Sequence, residues 1–442
     1  MPLRNLYVIL TIAVLSLFCY SAVERTRYAL PVGNAISLIN RYYVDPVDER
    51  DLLEGAMQGV VGRLDPYTQY INPESYALFQ DALQQQFGGI GIVVDQPEED
   101  GYVRVVTPLL DTPAFRAGLL PNDRIIQVDD SDTTGMKLPE VSEMLRGIEG
   151  TSVEIKVRRG QQEPLTFEIE RAMIPLESVV GDHRNDDNRW VFKLREHPDI
   201  AYIRISTFGE QTVAETTDAL KALNNDFDSL IIDLRQNQGG LLSAAVDISD
   251  MFLNDGKIVT TRGRGGKEDQ KFEARSGTLV SDDKPVVIMV DGDSASASEI
   301  VAACLKDHER AVIAGERSFG KGTVQQVLPL ESGRSALKLT TARYYRPSGA
   351  NIHRAEDFTD EDDWGVRPTE GLKVPVDDDQ RRILLGRLGR ATYPVLPKSP
   401  SDAATDDDSE EKPSNAIEVD PQLMRAVEHL LNPVATAEKT AA

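Results

Sequence analysis

Three serines alternate with small residues in "DGDSASASEI", Asp291–Ile300, directly after the apolar run "KPVVIMV". A serine where a strand gives way to a helix can cap the helix or act as a nucleophile, and a nucleophile needs a base for its proton. The chain has only five histidines. His308 lies twelve residues beyond Ser296 on the same expected helix. At 1.5 Å per residue that is roughly 18 Å, out of reach, and Asp307 fails as a direct relay for the same reason. His183, His197, His353 and His429 sit in polar or loop contexts and read as surface residues. Lys321, in "GERSFGKGT", offers another base. A lysine accepts a proton when its pKa of about 10.4 is lowered by burial and by the lack of a carboxylate partner. Glycines and Phe319 surround Lys321, no acid falls within four residues on either side, and Glu316 is its nearest acid in sequence. Gln325, four positions on, can hold the amine by hydrogen bonding. The amide of Ala297 at the helix start and a glycine amide from "QNQGGLL" are natural donors to a developing oxyanion.

These groups meet only if the fold brings their loops together. From about Ile174 strands and helices alternate: "IAYIRISTF", "TVAETTDALKALNN", "SLIIDLR", "LLSAAVDISDMFL", "KPVVIMVD", "SASASEIVAACLKDH", "RAVIAGE". Continuous apolar strands between helices indicate a parallel sheet buried on both faces. In such a sheet the loops beyond the carboxyl ends of the strands share one edge, which lets Ser296 meet Lys321, twenty-five positions away. "SALKLTTARYYRP" reads as a closing strand and "DFTDEDDWGVRP" as an acidic surface excursion.

Between Phe87 and about Met173 the apolar period is two, in "GGIGIVV", "GYVRVVTPL", "DRIIQVDD", "TSVEIKVRR" and "PLTFEIER", with short helices at "TPAFRAGL" and "LPEVSEMLRGI". This layout, with "PAFRAGLLPNDRIIQVDD", resembles a PDZ domain, although Asn122 stands where the family has glycine. The resemblance makes Gly89, Ile90, Gly91 and Ile92 the carboxylate-binding loop. Glycines there let N–H groups converge on an anion, and the strand after them has an edge for an extended peptide.

The 442 residues carry a formal charge of −24, which excludes binding nucleic acid or anionic lipid through a basic face. Leu6–Val23 holds no charged residue and follows the basic "MPLRN". It reads equally as a cleaved signal peptide or a membrane anchor, and either places the rest outside the cytoplasm, in the periplasm or cell envelope. Cys19 and Cys304 are the only cysteines, so neither a disulfide framework nor a cysteine metal site is expected, and no cofactor. "VGNAISLINRYYV" and "DERDLLEGAMQGVVGRL" repeat apolar residues at helical spacing, with Asp48 as an N-cap. So small a helical piece must pack on another domain or on a second copy of the chain. The expected organisation is leader 1–27, helical segment 28–86, PDZ domain 87–173, α/β core 174–397, acidic disordered linker 398–417, and C-terminal helix and tail 418–442. The fold class is α/β within a multidomain α+β chain.

The stretch "DSASASEIVAACLKDHERAVIAGERSFGKGTVQQVLPL" resembles the active-site region of the carboxy-terminal processing proteases, tail-specific serine peptidases of family S41. "LIIDLRQNQGGLL" and "LTTARYYRPSGANI" extend the likeness over roughly residues 30–395. The resemblance implies Ser296 as nucleophile, Lys321 as general base, Gln325 as its orienting partner, and Gly240 and Ala297 as oxyanion donors. It also implies an acyl-enzyme and protein substrates with free, apolar C-termini. Asp293 replaces a glycine and Asp291 an asparagine common in the family, adding negative charge near the site. The acidic excursion lengthens a connection that is shorter in many relatives. A catalytically inactive PDZ scaffold on a protease fold is the alternative, although every required residue type is present. Nucleotide binding is disfavoured: "GERSFGKGT" nearly matches a phosphate-binding loop, but Gly322 takes the Mg²⁺-ligand position and "TVQQVLPL" reads as strand where a helix must open.

Overall fold

The computed structural model describes Asn5, Tyr7 and residues 10–12, then 28–97, 101–394 and 420–432. The expected leader (apart from those few residues) and the acidic linker lie outside the described residues. Among the described residues no helix is long and apolar enough to cross a membrane. Chain contacts define two compact units, one combining the residues up to Ala77 with Gln325–Thr341, the other holding Leu78–Val324 and the residues from Ala342 on.

In the first unit, helices span Ala29–Tyr42 and Glu49–Val61. The carboxylate of Asp48 caps the second by accepting the Arg50 N–H at 2.7 Å. The break at "LDPYT" is a fastening. Asp65 accepts the amides of Tyr67 and Thr68 and the hydroxyls of Thr68 and Thr340. The next residues, Gln69–Ile71, form a strand antiparallel to Ala336–Lys338. Arg50 grips Glu331 with both terminal nitrogens, at 2.6 and 2.9 Å. The helical segment thus takes a strand partner that is distant in sequence, Ala336–Lys338.

The second unit begins with the PDZ fold. Strands Ile92–Asp95, Val103–Pro108, Arg124–Val128, Ser152–Arg158 and Leu165–Glu170 follow one another across an antiparallel sheet, leaving Ile92–Asp95 at one edge. Ser152–Arg158 alternates outward and buried residues, so that Val153, Ile155 and Val157 join Ile90, Val105, Ile125 and Ile169 in one core. Asn122 adopts φ 68°, the left-handed conformation that asparagine tolerates better than other side chains, which explains how it stands in for glycine.

The core sheet orders Val179–Val180, Ile200–Ile205, Ser229–Asp233, Val286–Val290 and Val312–Gly315, the last four mutually parallel. Alternate side chains divide between two faces. Ile203, Ile232 and Ile288 pack against the cluster containing Leu220, Ile248 and Val301 from three helices. Tyr202, Ile231 and Met289 face Leu423, Ala426 and Val427 of the C-terminal helix Pro421–Leu431. That helix is fastened at its N-cap: Asp420 meets Arg235 at 2.9 Å, and Arg235 also grips Asp233. All three are essentially unexposed. Helices Pro73–Leu83 and Asp378–Ala391 and the hairpin Lys257–Arg262 with Glu268–Glu273 were not anticipated. The first starts on a proline, which suits a first helical turn, and Asn72 caps it by accepting the Ser75 N–H.

Candidate active site

The parallel strands deliver three loops to the carboxyl edge of the sheet. Gln236–Leu241 follows Ser229–Asp233, Asp291–Ser296 follows Val286–Val290, and Glu316–Gly322 follows Val312–Gly315. The first two are knitted by buried polar groups. The Asn237 carbonyl accepts the Ala295 N–H at 3.0 Å and the Ser298 hydroxyl at 2.8 Å. The Ser294 hydroxyl donates to the Leu234 carbonyl at 2.9 Å. Asp291 accepts the Gln236 amide at 3.0 Å and its side-chain amide at 2.6 Å. Asp293 shares the Gln236 side chain at 2.8 Å. The two acids that depart from the family pattern thus hold the glycine loop to the serine loop.

Ser294 and Ser298 spend their hydroxyls on this knitting and are fully buried, whereas Ser296 keeps 7% exposure. Ser296 caps the Ala297–Asp307 helix with φ 55° and ψ −110°, a conformation that costs a non-glycine residue on the order of 1–3 kcal/mol. A sharp, strained strand-to-helix turn is also how a nucleophile elbow lifts its hydroxyl clear of the sheet. Room for that turn comes from Gly239, where an added Cβ would stand 2.8 Å from the Ser296 Cβ. Burial pushes the pKa of the Tyr344 phenol up to about 12, with the Ser296 side chain acting the other way. Tyr344 in turn donates its N–H to the Gly322 carbonyl at 2.9 Å, one residue past Lys321.

Glu299 joins the serine to the lysine loop. One carboxylate oxygen accepts the N–H of Ser296 (2.9 Å) and of Lys321 (2.8 Å). The other accepts the Gly320 N–H (2.7 Å) and the Ser318 hydroxyl (2.6 Å). Burial raises the pKa of this fully buried acid, and the four donors oppose that rise. No acid is near Lys321 in sequence, but the fold sets one against its backbone. The pattern Ser-x-x-Glu was readable as a helix-capping box. Its second use, as a clamp on the lysine loop, was not.

Gly240 is exposed, with φ 147°, and a Cβ there would stand 2.1 Å from the Phe208 carbonyl oxygen. The neighbouring Leu241 N–H takes that oxygen at 2.7 Å. Among the described residues neither the Gly240 nor the Ala297 amide donates to the backbone of a neighbouring loop. Gln325 belongs to the other compact unit, on the Thr323–Leu330 strand, with its amide nitrogen 3.4 Å from the Thr340 hydroxyl. That strand also removes the helix a phosphate-binding loop needs.

His308 sits at the far end of the Ala297–Asp307 helix, its Nε2 2.7 Å from the Lys257 carbonyl, and Asp307 pairs with Arg346. Neither reaches Ser296 along that rigid element. In the PDZ domain, the carbonyls of Ile90 and Gly91 accept the Ala114 and Leu109 amides, and Gly91 has φ 79°. A cavity of about 140 Å³ runs between this loop, Ile92 and Val94 on the edge strand, and Ser142 and Leu145 on the facing helix. Arg146, which the sequence did not single out, lines the same cavity and stacks on Phe87 at 5.6 Å.

Three family models match this chain. Peptidase family S41 covers residues 199–369, a PDZ domain 104–159, and the activating protease CtpB N-terminal domain 24–75. The carboxy-terminal-processing protease of Bartonella bacilliformis is 39% identical over 72% of this chain and 71% of its own. The carboxy-terminal processing protease CtpB of Bacillus subtilis is 36% identical over 80% of this chain and 69% of its own. Among solved structures, the photosystem II D1 C-terminal processing protease is 27% identical over 81% of this chain and 97% of its own, with a TM-score of 0.44. With its PDZ domain and its serine loop, the chain belongs to peptidase family S41, among the carboxy-terminal processing serine proteases.

Proposed function

We propose that the protein hydrolyses peptide bonds with Ser296 as nucleophile and Lys321 as general base, after its PDZ domain has captured the free C-terminus of a protein substrate. The Gly89–Ile92 loop receives the terminal carboxylate, and the substrate adds a strand to the Ile92–Asp95 edge. Ser296 Oγ attacks the carbonyl while neutral Lys321 takes its proton; the intermediate then collapses with the C–N bond broken, and the Lys321 ammonium returns that proton to the departing amine. Gly240 and Ala297 donate to the oxyanion, Gln325 orients the amine, and water resolves the acyl-enzyme. The apolar lining of the groove favours an apolar last residue. The observation that carries this reading is the strained Ser296 turn, whose backbone shares one carboxylate oxygen with the backbone of Lys321.

The apolar Leu6–Val23 stretch supports action outside the cytoplasm. None of the residues of the Ala29–Tyr42 helix is buried, which supports contact with a second copy, readable by sedimentation equilibrium. For the chemistry, Ser296→Ala and Lys321→Ala should each abolish cleavage of a protein bearing an apolar tail while leaving circular dichroism unchanged. Only chains with Ser296 should be labelled by a serine-reactive phosphonate. Substantial turnover in both folded variants would remove the dyad.

A further inference from the structure

The acidic excursion Asp357–Pro368 has no part in the chemistry above, yet its seat is the loop that carries Lys321. Arg317, four residues before Lys321, donates to the carbonyls of Asp360 (2.8 Å), Asp362 (2.5 Å) and Trp364 (2.8 Å). Arg367 donates to those of Asp360, Glu361 and Asp362. Backbone oxygens rather than carboxylates meet the two arginines, and the acids at 360–363 stay exposed. Among these exposed neighbours Trp364 is only 5% exposed. The guanidinium carbons of Arg317 and Arg354 lie 3.4 and 4.5 Å from the centre of its ring. Its indole N–H donates to the Thr359 carbonyl at 2.8 Å.

The ring closes on Gly320, the residue before Lys321. A Cβ on Gly320 would stand 2.9 Å from the Trp364 ring and 2.8 Å from the Arg354 Cβ. The Gly320 carbonyl accepts the Arg354 N–H at 2.9 Å. Two residues along, the Val366 N–H donates to the Ser318 hydroxyl at 2.7 Å, and that hydroxyl donates to Glu299. Residues 316–322 form neither helix nor strand. Such a segment has no internal ladder to hold a side chain in place, so its position comes from what it is bonded to. Glu299 is one hold, and the excursion supplies another.

We propose that Trp364 is a positioning residue for Lys321, and that the acidic excursion is the clamp which seats Trp364 against the lysine loop. The inference rests on the reading of Lys321 as the general base. It is tested in the full chain by steady-state cleavage of a peptide with an apolar C-terminus, alongside thermal unfolding. Trp364→Ala should lower kcat about 100-fold with KM within about twofold, the size expected when a reacting group is displaced by roughly 1 Å. Trp364→Phe, which keeps an aromatic face for the arginines, should recover most of that loss. If Trp364→Ala fails to fold, Arg317→Lys takes its place; it keeps the charge but loses the planar stack, and the same split between kcat and KM is expected. Wild-type kcat in a folded variant would overturn the clamp, as would a loss that vanishes after correction for the unfolded fraction. Lys321→Ala separates the two ideas. If it is inactive while Trp364→Ala is fully active, only the clamp falls; if it still turns over, both fall.

Discussion

At the head of the Ala297–Asp307 helix, Asn237, Asp291, Ser294, Ser298 and Glu299 are buried and their polar atoms are bonded to neighbouring loops. Along the Ile92–Asp95 strand of the PDZ domain, the backbone ends a sheet and one side faces an open groove. The first region has its polar groups already bonded; the second keeps a strand edge beside a cavity. A reaction needs its groups fixed to fractions of an ångström, and buried hydrogen bonds provide that. Recognition of an extended tail needs an unpaired strand edge, which a buried network would occupy.

The contrast is sharpest if chemistry can be removed without touching capture. Ser296→Ala should cost kcat about four orders of magnitude or more, with calorimetric affinity for an apolar C-terminal peptide unchanged. A parallel loss of affinity would mean that groove and site are not separable. Glu299→Gln is expected to lower kcat about 100-fold. All four contacts to Glu299 are donors, so in either orientation the amide –NH₂ faces two of them. Unchanged turnover in that variant would show that the carboxylate does not set the serine and lysine loops.

The buried charges beneath the glycine loop give a third test. Burial alone would raise the Asp233 pKa, but Arg235 brings it down to about 2 from an unfolded value of 3.8. A depressed carboxylate contributes stability that is present above the unfolded value and lost as pH falls through the folded one. Wild-type stability should therefore drop by on the order of 2 kcal/mol between about pH 4 and pH 2 through this group. Asp233→Asn should lack that part of the acid limb in pH-dependent denaturation. An identical limb in both would detach the charge pair from folding. The smallest effect belongs to the groove. Gly91→Ala, at φ 79° and with its Cβ 2.4 Å from Thr112, should raise KM for a tailed substrate about tenfold, from roughly 1–2 kcal/mol of strain. Its kcat, and its cleavage of a short ester without a tail, should stay the same. A fall in kcat instead would show that the loop acts on the chemistry.

Much of this architecture is local in origin and could be read residue by residue. The period-two runs mark the PDZ strands, and the apolar runs between helices mark the parallel sheet. Positive φ at Gly91, Gly239 and Gly240 falls where a side chain would collide with a neighbour. Asp291 and Asp293 read as surplus charge in the sequence, because nothing nearby names Gln236 as their partner. Tyr344 carries no local signal at all; it lies on a strand whose other residues look alike, forty-eight positions beyond Ser296.

Residue types and spacing alone determined that a serine at a helix start, a glycine loop and a lysine among glycines would end on neighbouring loops. Periodicity and turn preference act over a few residues, so they survive in a linear string. Only the folded chain decided that the Ser294 and Ser298 hydroxyls are spent on the Leu234 and Asn237 carbonyls, that Glu299 ties Ser296 to Lys321, and that Asp420 closes on Arg235 from 185 positions away. Such pairings depend on which faces meet once the core has packed, and that is a property of the whole molecule's burial rather than of any stretch within it.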